Sequence, residues 1–245
     1  MKHRALVVAV IGLCVLGGKL LPAQGTKHVR LVFDQAHGQQ PPPPPLKELA
    51  AKLGLELQTS TVPITADALK GGGILFLRAP SGEFTATEAE AIAGFVKGGG
   101  SLFVVLDEER RQSLEKTRLN DVLAPFGMKL TPDTEYLHNT GAVARTGEIN
   151  KADREVPFSG GRAVEGGTPF AFQLDRAGKP SHPFGAFTRF DNGGRVVVLG
   201  EGMATLFLGD PKGVRLSGTQ TDITPYWGKD SAIFMEEVLL WLSRK

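Results

Sequence analysis

The chain has 245 residues, of which 41% are hydrophobic and 22% charged, a length that suits one globular domain and a composition that excludes intrinsic disorder as the main state. Three of its 28 basic residues and none of its 26 acidic residues lie in residues 1–23, so the rest of the chain has 25 basic residues and a net charge of −1. That balance excludes the surplus of positive charge that binding to nucleic acid or to an anionic membrane requires.

The first 23 residues have the features of a secretory signal peptide. A positive n-region at residues 2–4 precedes an apolar run at residues 5–18, and small residues follow. The apolar run has 14 residues, fewer than the roughly 20 that a membrane-spanning helix needs. We therefore predict cleavage after Ala23 or Gly25 and a periplasmic or extracellular protein. An uncleaved membrane anchor is the alternative.

The remaining residues, 24–245, alternate predicted strands with predicted helices as far as residue 126. Short apolar runs bounded by polar residues or glycine predict strands, which we place at Val29–Phe33, Leu55–Gln58, Ile74–Leu77 and Leu102–Leu106. Helical spacing predicts helices at 46–53, 85–97 and, in two pieces, 114–126, with a helical turn at 65–70. Thr85 and Glu88 form a predicted capping box. Pro41–Pro45 cannot lie in the interior of a helix or strand.

The apolar pattern weakens between residues 128 and 187, which we predict to be an irregular β-rich insertion on the same domain. Phe187–Phe190 and Arg195–Leu199 flank an Asp-Asn-Gly-Gly turn and predict a hairpin. A final amphipathic helix begins at Asp230 or Ser231 and ends at Leu242. The alternation predicts an α/β fold with a doubly wound, mostly parallel, flavodoxin-like sheet.

Four segments carry a resemblance to a known superfamily. They are residues 31–39 (LVFDQAHGQ), residues 74–106, residues 194–203 (GRVVVLGEGM) and the end of the last helix, residues 239–242. This set resembles the class I glutamine amidotransferase-like superfamily, in the branch shared by secreted bacterial domains of unknown function and intraflagellar transport proteins. The resemblance implies one domain over 24–245 and a non-catalytic interaction role.

The chain departs from catalytic amidotransferases at the nucleophile. Those enzymes place a cysteine on a sharp strand-to-helix turn and activate it with a His–Glu pair. The only cysteine here is Cys14, inside the predicted signal peptide, so the mature chain has no thiol for catalysis, disulfides or metal binding. No serine lies in a Gly-x-Ser-x-Gly sequence. The chain is therefore not predicted to be a glutaminase.

Polar residues at the carboxyl ends of the predicted strands are the candidate ligand-binding residues, because ligands of open α/β sheets bind there. They are Asp34, His37, Arg78, Ser81, Asp107 and Glu201.

Each candidate has a chemical role and a structural alternative. Asp34 and His37 can form an acid/base pair or supply two metal ligands; alternatively, Asp34 caps backbone N–H groups and His37 orders the loop. Arg78 can clamp a carboxylate or phosphate, or it pairs with Asp34 or Asp107. Asp107 and Glu108 fit the start of a helix, where acids complement the helix dipole.

The remaining motifs indicate structure. Gly200-Glu201-Gly202 is a tight turn, since it lacks the third glycine of a dinucleotide site and lies far from the first strand. His138 and His182 have no acids at metal-ligand spacing and are predicted to be surface residues. We predict no cofactor and no metal centre.

Three functions remain open at this point. The first is an exported, non-catalytic domain that binds a protein or a small ligand at its strand-end cleft. The second is a hydrolase, carbohydrate-directed or metal-assisted, that uses Asp34, His37 and Glu201. The third is a membrane-tethered accessory subunit, which requires the first segment to remain uncleaved.

Overall fold

The computed structural model describes residues 29–134, 141–156, 158, 161–175, 177–202 and 230–244. The predicted signal peptide, His138 and the segment that follows Gly202 lie outside these residues. Among the described helices, none has the length and apolar character that crossing a membrane requires.

The described residues form eleven strands and five α-helices. The strands are Val29–Asp34 (β1), Leu55–Ser60 (β2), Ile74–Arg78 (β3), Ser101–Val105 (β4), Lys129–Asp133 (β5), Ala142–Ala144 (β6), Arg154–Val156 (β7), Arg162–Glu165 (β8), Thr168–Leu174 (β9), Pro180–Arg189 (β10) and Arg195–Leu199 (β11). The helices are Pro44–Lys52 (α1), Ala86–Lys97 (α2), Leu114–Thr117 (α3), Leu119–Leu123 (α4) and Ser231–Ser243 (α5), with a 3-10 turn at Ala124–Phe126.

One half of the main sheet is parallel. The main sheet has nine strands in the order β2-β1-β3-β4-β11-β10-β9-β6-β7, and the first five are mutually parallel. The chain leaves β1 for β2 at the edge and then returns to β3 on the other side of β1. The carboxyl ends of β1 and β3 therefore flank the point where the strand order reverses.

The other half is antiparallel, so the prediction of a mostly parallel sheet holds only in part. β11, β10, β9, β6 and β7 are joined by four antiparallel pairings. Only residues 175–179 connect β9 to β10 and only residues 190–194 connect β10 to β11. Links this short allow hairpins, whereas a parallel pairing needs a crossover of about a dozen residues. The described part of the segment 128–187, predicted to be an irregular β-rich insertion, forms strands β5 to β10, and two of their pairings contain register shifts.

Helices cover both faces of the parallel half. Alternate residues of a strand point to opposite faces. Leu31 and Phe33 accordingly belong to the buried cluster that includes α1 and α5, while Val32 belongs to the cluster that includes α2 and α4. Both sets of side chains are buried. The unbroken apolar runs in the sequence follow from this double coverage.

The first two helices begin as local chemistry dictates. α1 starts at Pro44, two residues before the predicted start, because proline is tolerated in the first helical turn, where its missing N–H is not needed. α2 begins after Thr85, and the predicted capping box is present, since Thr85 and Glu88 exchange side-chain and backbone hydrogen bonds.

Candidate functional site

Asp34 ends β1 and is fully buried at the carboxyl edge of the sheet. Its Oδ1 accepts the backbone N–H of Ala36 at 3.1 Å, and its Oδ2 accepts Nε2 of Gln39 at 2.6 Å. The same Oδ2 lies 2.8 Å from Nδ1 of His37. Both carboxylate oxygens are therefore occupied by partners within the loop that follows the strand.

His37 lies between two carboxylates. Its Nδ1 faces Asp34, and its Nε2 lies 3.2 Å from Oε1 of Glu88, while its ring stacks on Phe84 with centroids 3.9 Å apart. The residue is only 5% exposed. Both ring nitrogens are thus engaged inside the protein, which matches the structural alternative for Asp34 and His37 better than an open acid/base pair.

Electrostatics favour the charged forms of His37 and Glu88. Burial alone would lower the pKa of His37, but the hydrogen bond to Asp34 and the charges of Asp34 and Glu88 outweigh it and raise the pKa above its usual value. Burial would raise the pKa of Glu88, but the backbone N–H groups of Thr85 and Ile64 lower it overall. The imidazole therefore bridges the strand-end loop and the first turn of α2, and its raised pKa favours the cationic form.

Gln39 connects this cluster to the neighbouring strand, a role that no sequence pattern indicated. Its Nε2 donates to Asp34, and its Oε1 accepts the backbone N–H of Arg78, the last residue of β3, at 2.9 Å. The carboxyl ends of β1 and β3 are consequently held together by one side-chain amide, at the point where the strand order reverses.

Arg78 is 5% exposed, and it pairs with neither Asp34 nor Asp107 as one alternative predicted. Across the part of the chain that the structure describes, its side chain makes no ion pair, and its Nε is buried without a hydrogen-bond acceptor. Burial lowers the pKa of Arg78. Among the residues that the structure describes, no carboxylate pairs with this buried cation.

Ser81 lies exposed at the rim of this edge. Its backbone N–H donates to the carbonyl oxygen of His37 at 2.9 Å, which joins the loop after β3 to the loop after β1. Gly38 has a φ of 75°, and a Cβ there would lie 2.3 Å from Oγ of Ser81. The two loops therefore touch beside Arg78.

Asp107 and Glu108 belong to a second cluster at the end of β4. They lie in the loop between β4 and α3, whose N-cap is Ser113, so the prediction that they start a helix is wrong. Asp107 accepts the N–H of Glu108, and Glu108 accepts Arg111 at 2.8 Å. Burial raises the pKa of Asp107, an effect that these hydrogen bonds and charges only partly offset.

Glu201 lies beside the second cluster and apart from Asp34 and His37. It follows β11 and is fully buried. A Cβ added to its neighbour Gly202 would lie 3.0 Å from Oδ2 of Asp107. β11 lies three strands from β1, which corresponds to about 14 Å at the usual strand spacing. The structure therefore does not assemble Asp34, His37 and Glu201 into one catalytic group.

The glycine before Glu201 is explained by packing. A Cβ on Gly200 would lie 2.1 Å from the backbone oxygen of Arg162, and the N–H of Arg162 donates to Gly200. This close backbone approach, rather than a phosphate site, accounts for the turn.

Arg162 is a buried residue that no sequence pattern singled out. It is 0% exposed, and its guanidinium donates to backbone oxygens of Asp107, Gln112 and Thr131 and to Oε2 of Glu109. It thereby fastens the loop after β4 to the small sheet formed by β5 and β8.

A cavity of about 340 Å³ opens on the β2 side of Asp34. Hydroxyl-bearing residues of β2 and the segment after it, including Ser60 and Thr61, line it together with apolar residues. Within the described ranges, no group of three or more His, Cys, Asp or Glu side chains is arranged to hold a metal ion. His182 lies half-buried on β10 rather than at the surface.

Comparison with known proteins identifies the family. Residues 31–159, more than half of the chain, match the family described as the IFT52 GIFT domain. The chain belongs to this family. Curated relatives include the intraflagellar transport protein 52 homologs of Homo sapiens and Mus musculus, which are 28% and 27% identical over 118 residues. The matches cover 45% of this chain and 26% and 27% of those proteins, so the chain spans about a quarter of their length.

Solved structures with a similar fold include an IFT52 domain and a protein described as a GMP synthase subunit. The mmIFT52 N-terminal domain aligns with a TM-score of 0.65 and 18% identity, covering 88% of this chain and 98% of that domain. A putative GMP synthase subunit from Thermoplasma acidophilum aligns with a TM-score of 0.50 and 9% identity, covering 88% and 94%. The predicted resemblance is thus confirmed for the intraflagellar transport branch and for a mixed α/β fold, while the doubly wound arrangement and membership of a secreted bacterial branch stay predictions.

Proposed function

We propose that this GIFT-family chain is an exported, non-catalytic binding domain that holds a protein or a small ligand at the edge where β1 and β3 end. The observation that carries the proposal is the buried guanidinium of Arg78, which lacks an internal anion among the described residues at the place where the strand order reverses. In open α/β sheets this place is the usual ligand site.

The state of the other candidate residues supports a non-catalytic role. A general base needs a nitrogen or oxygen free to reach substrate, but Asp34 and both nitrogens of His37 are engaged internally. Glu201, which the hydrolase alternative requires, lies at the other cluster. Residues 24–245 also contain no cysteine for the chemistry of an amidotransferase.

Export rests on the sequence of the first 23 residues, with their basic start and their apolar run of 14 residues. The net charge of −1 for the remaining chain suits a soluble partner better than nucleic acid.

A photo-cross-linking experiment tests the binding role. A photoreactive amino acid replaces Ser81, at the rim of the proposed site, in the full chain expressed in the cells that produce it. Asp191 receives the same replacement as a control, because it is exposed in the turn at the opposite end of the sheet. Intact-mass spectrometry after irradiation detects adducts of proteins and of small molecules alike.

We expect a discrete adduct at Ser81 and none at Asp191. Equal labelling at both positions, or no adduct at Ser81, would contradict the proposal. Release of ammonia from glutamine by the purified chain would contradict its non-catalytic part. Sequencing the N-terminus of the same material tests export, with Gln24 or Thr26 expected as the first residue.

A further inference from the structure

We propose that Arg78 binds the carboxylate group of the partner, carried by an acidic peptide or by a small carboxylic acid. This inference rests on the proposed function and specifies the chemistry of its site.

The first argument is the missing counter-charge. A buried cation is costly unless it is paired and hydrogen-bonded. Arg162, which is also buried, has acceptors for Nε, Nη1 and Nη2. Arg78 is 5% exposed, yet within the described part of the chain its Nε is buried without an acceptor and no carboxylate pairs with its guanidinium.

The second argument is geometric. Nε of Arg78 is buried and has no hydrogen-bond partner, whereas its two terminal nitrogens are not among the buried atoms that lack a partner. The two terminal nitrogens of a guanidinium present parallel donors. A planar carboxylate accepts two such bonds at once.

The third argument is that the surrounding structure fixes Arg78 without neutralising it. Gln39 accepts its backbone N–H, and the next residue, Ala79, has a φ of 51°, a left-handed conformation that is strained for alanine. Asp34, the acid at the end of the neighbouring strand β1, already forms hydrogen bonds with Ala36, His37 and Gln39. The hydrogen bonds of Asp34 are thus directed to its own loop rather than to Arg78.

The fourth argument selects a carboxylate over a phosphate. The same edge of the sheet carries the acids Asp34, Asp107, Glu108 and Glu201. The other basic side chains of this edge already contact its acids or the loop that carries them, namely His37, Arg110, Arg111 and Arg162. Arg78 therefore offers one unpaired positive charge, which one carboxylate balances, whereas a phosphate dianion adds a second negative charge beside these acids.

Titration of the purified protein followed by nuclear magnetic resonance tests the proposal. The probes are N-acetylglutamate, a capped peptide of alternating Asp and Glu, and inorganic phosphate, all at one fixed ionic strength. The Nε–H signal of Arg78 reports binding at the guanidinium, and its assignment comes from its absence in Arg78→Gln. Arg110→Gln is the matched control, because Arg110 is at the same edge but its side chain is 74% exposed and pairs with Glu108.

We expect both carboxylate probes to shift the Arg78 signal saturably and more strongly than phosphate. Arg78→Gln should weaken carboxylate binding about 10- to 100-fold, as loss of a charged hydrogen bond predicts, and Arg110→Gln should leave it unchanged. Tighter binding of the peptide than of N-acetylglutamate would identify an acidic peptide as the source of the carboxylate. Equal affinity for the two probes would identify a small carboxylic acid. Arg78→Gln should also melt no lower than wild type, since it removes a buried unpaired charge.

Equal carboxylate affinity of wild type and Arg78→Gln would overturn the inference, as would equal responses to carboxylate and phosphate. If the Ser81 adduct persists in that case, only the carboxylate inference fails. If the adduct is absent as well, the proposed function itself fails.

Discussion

Nε2 of His37 lies 3.2 Å from Oε1 of Glu88, so a loop residue after β1 is joined to the third residue of α2. Glu88 serves three groups at once, because its carboxylate also accepts the backbone N–H of Ile64 and completes the capping box with Thr85. This contact binds three separate segments of the chain at the same edge of the sheet, beside the proposed ligand site.

The pH dependence of stability should report the charge on His37. Because its pKa is raised in the folded protein, its contribution to stability is full below the unfolded pKa of about 6.5 and is lost as pH rises through the higher folded value. The measurement is the free energy of unfolding of wild type and His37→Gln between about pH 5 and pH 9. We expect the advantage of wild type to shrink as pH rises. A difference that is constant over this range would contradict the assigned role.

Glu88→Ala should lower the free energy of unfolding by about 1–3 kcal/mol, because it removes a helix cap and leaves the N–H of Ile64 without its acceptor. Glu90→Ala is the matched control, since Glu90 is an exposed glutamate on the same helix and should change stability by less than about 0.5 kcal/mol. Urea denaturation measures both. Equal effects of the two substitutions would show that the cluster contributes nothing.

Replacing each of two glycines by alanine should have opposite effects on the stability of the protein. Gly94 lies within α2, and a Cβ added there would meet nothing within 4 Å, so Gly94→Ala should stabilise by about 0.5–1 kcal/mol through helix propensity. A Cβ on Gly200 would lie 2.1 Å from the carbonyl oxygen of Arg162, so Gly200→Ala should destabilise by about 1–3 kcal/mol. Thermal unfolding of the two variants distinguishes them, and a stable Gly200→Ala would contradict the close approach.

The parallel half of the fold could be predicted from the sequence, because buried strands and capped helices leave local patterns. Leu102–Leu106 is apolar throughout, and the strand Ser101–Val105 forms there. Thr85 and Glu88 mark a helix start, and α2 begins after Thr85. The antiparallel half was not predicted in detail, because strands such as Ala142–Ala144 and Arg154–Val156 are only three residues long. Their pairing is decided by tertiary contacts, which local patterns do not contain.

The candidate site could be predicted only in part. Residues that end strands, such as Asp34 and Arg78, could be placed at one edge because parallel strands share their carboxyl ends. The residues that contact them could not be predicted, because Gln39, Glu88 and Arg162 act through contacts that depend on how loops fold over that edge. A charged residue's spacing in sequence does not show whether another charge will reach it, and Arg78 is the case where none of the described residues does.

The position of β11 has a consequence for synthesis. This strand lies at the centre of the nine-stranded sheet, where Val197 is paired with Phe103 of β4 on one side and Phe187 of β10 on the other. The family match ends at residue 159, before this strand begins. A nascent chain that has left the ribosome only that far exposes the backbone edge of β4, which is the kind of edge that recruits other chains. The segment that matches the family is therefore not expected to fold on its own. Fragments ending near residue 159 should depend on chaperones or aggregate.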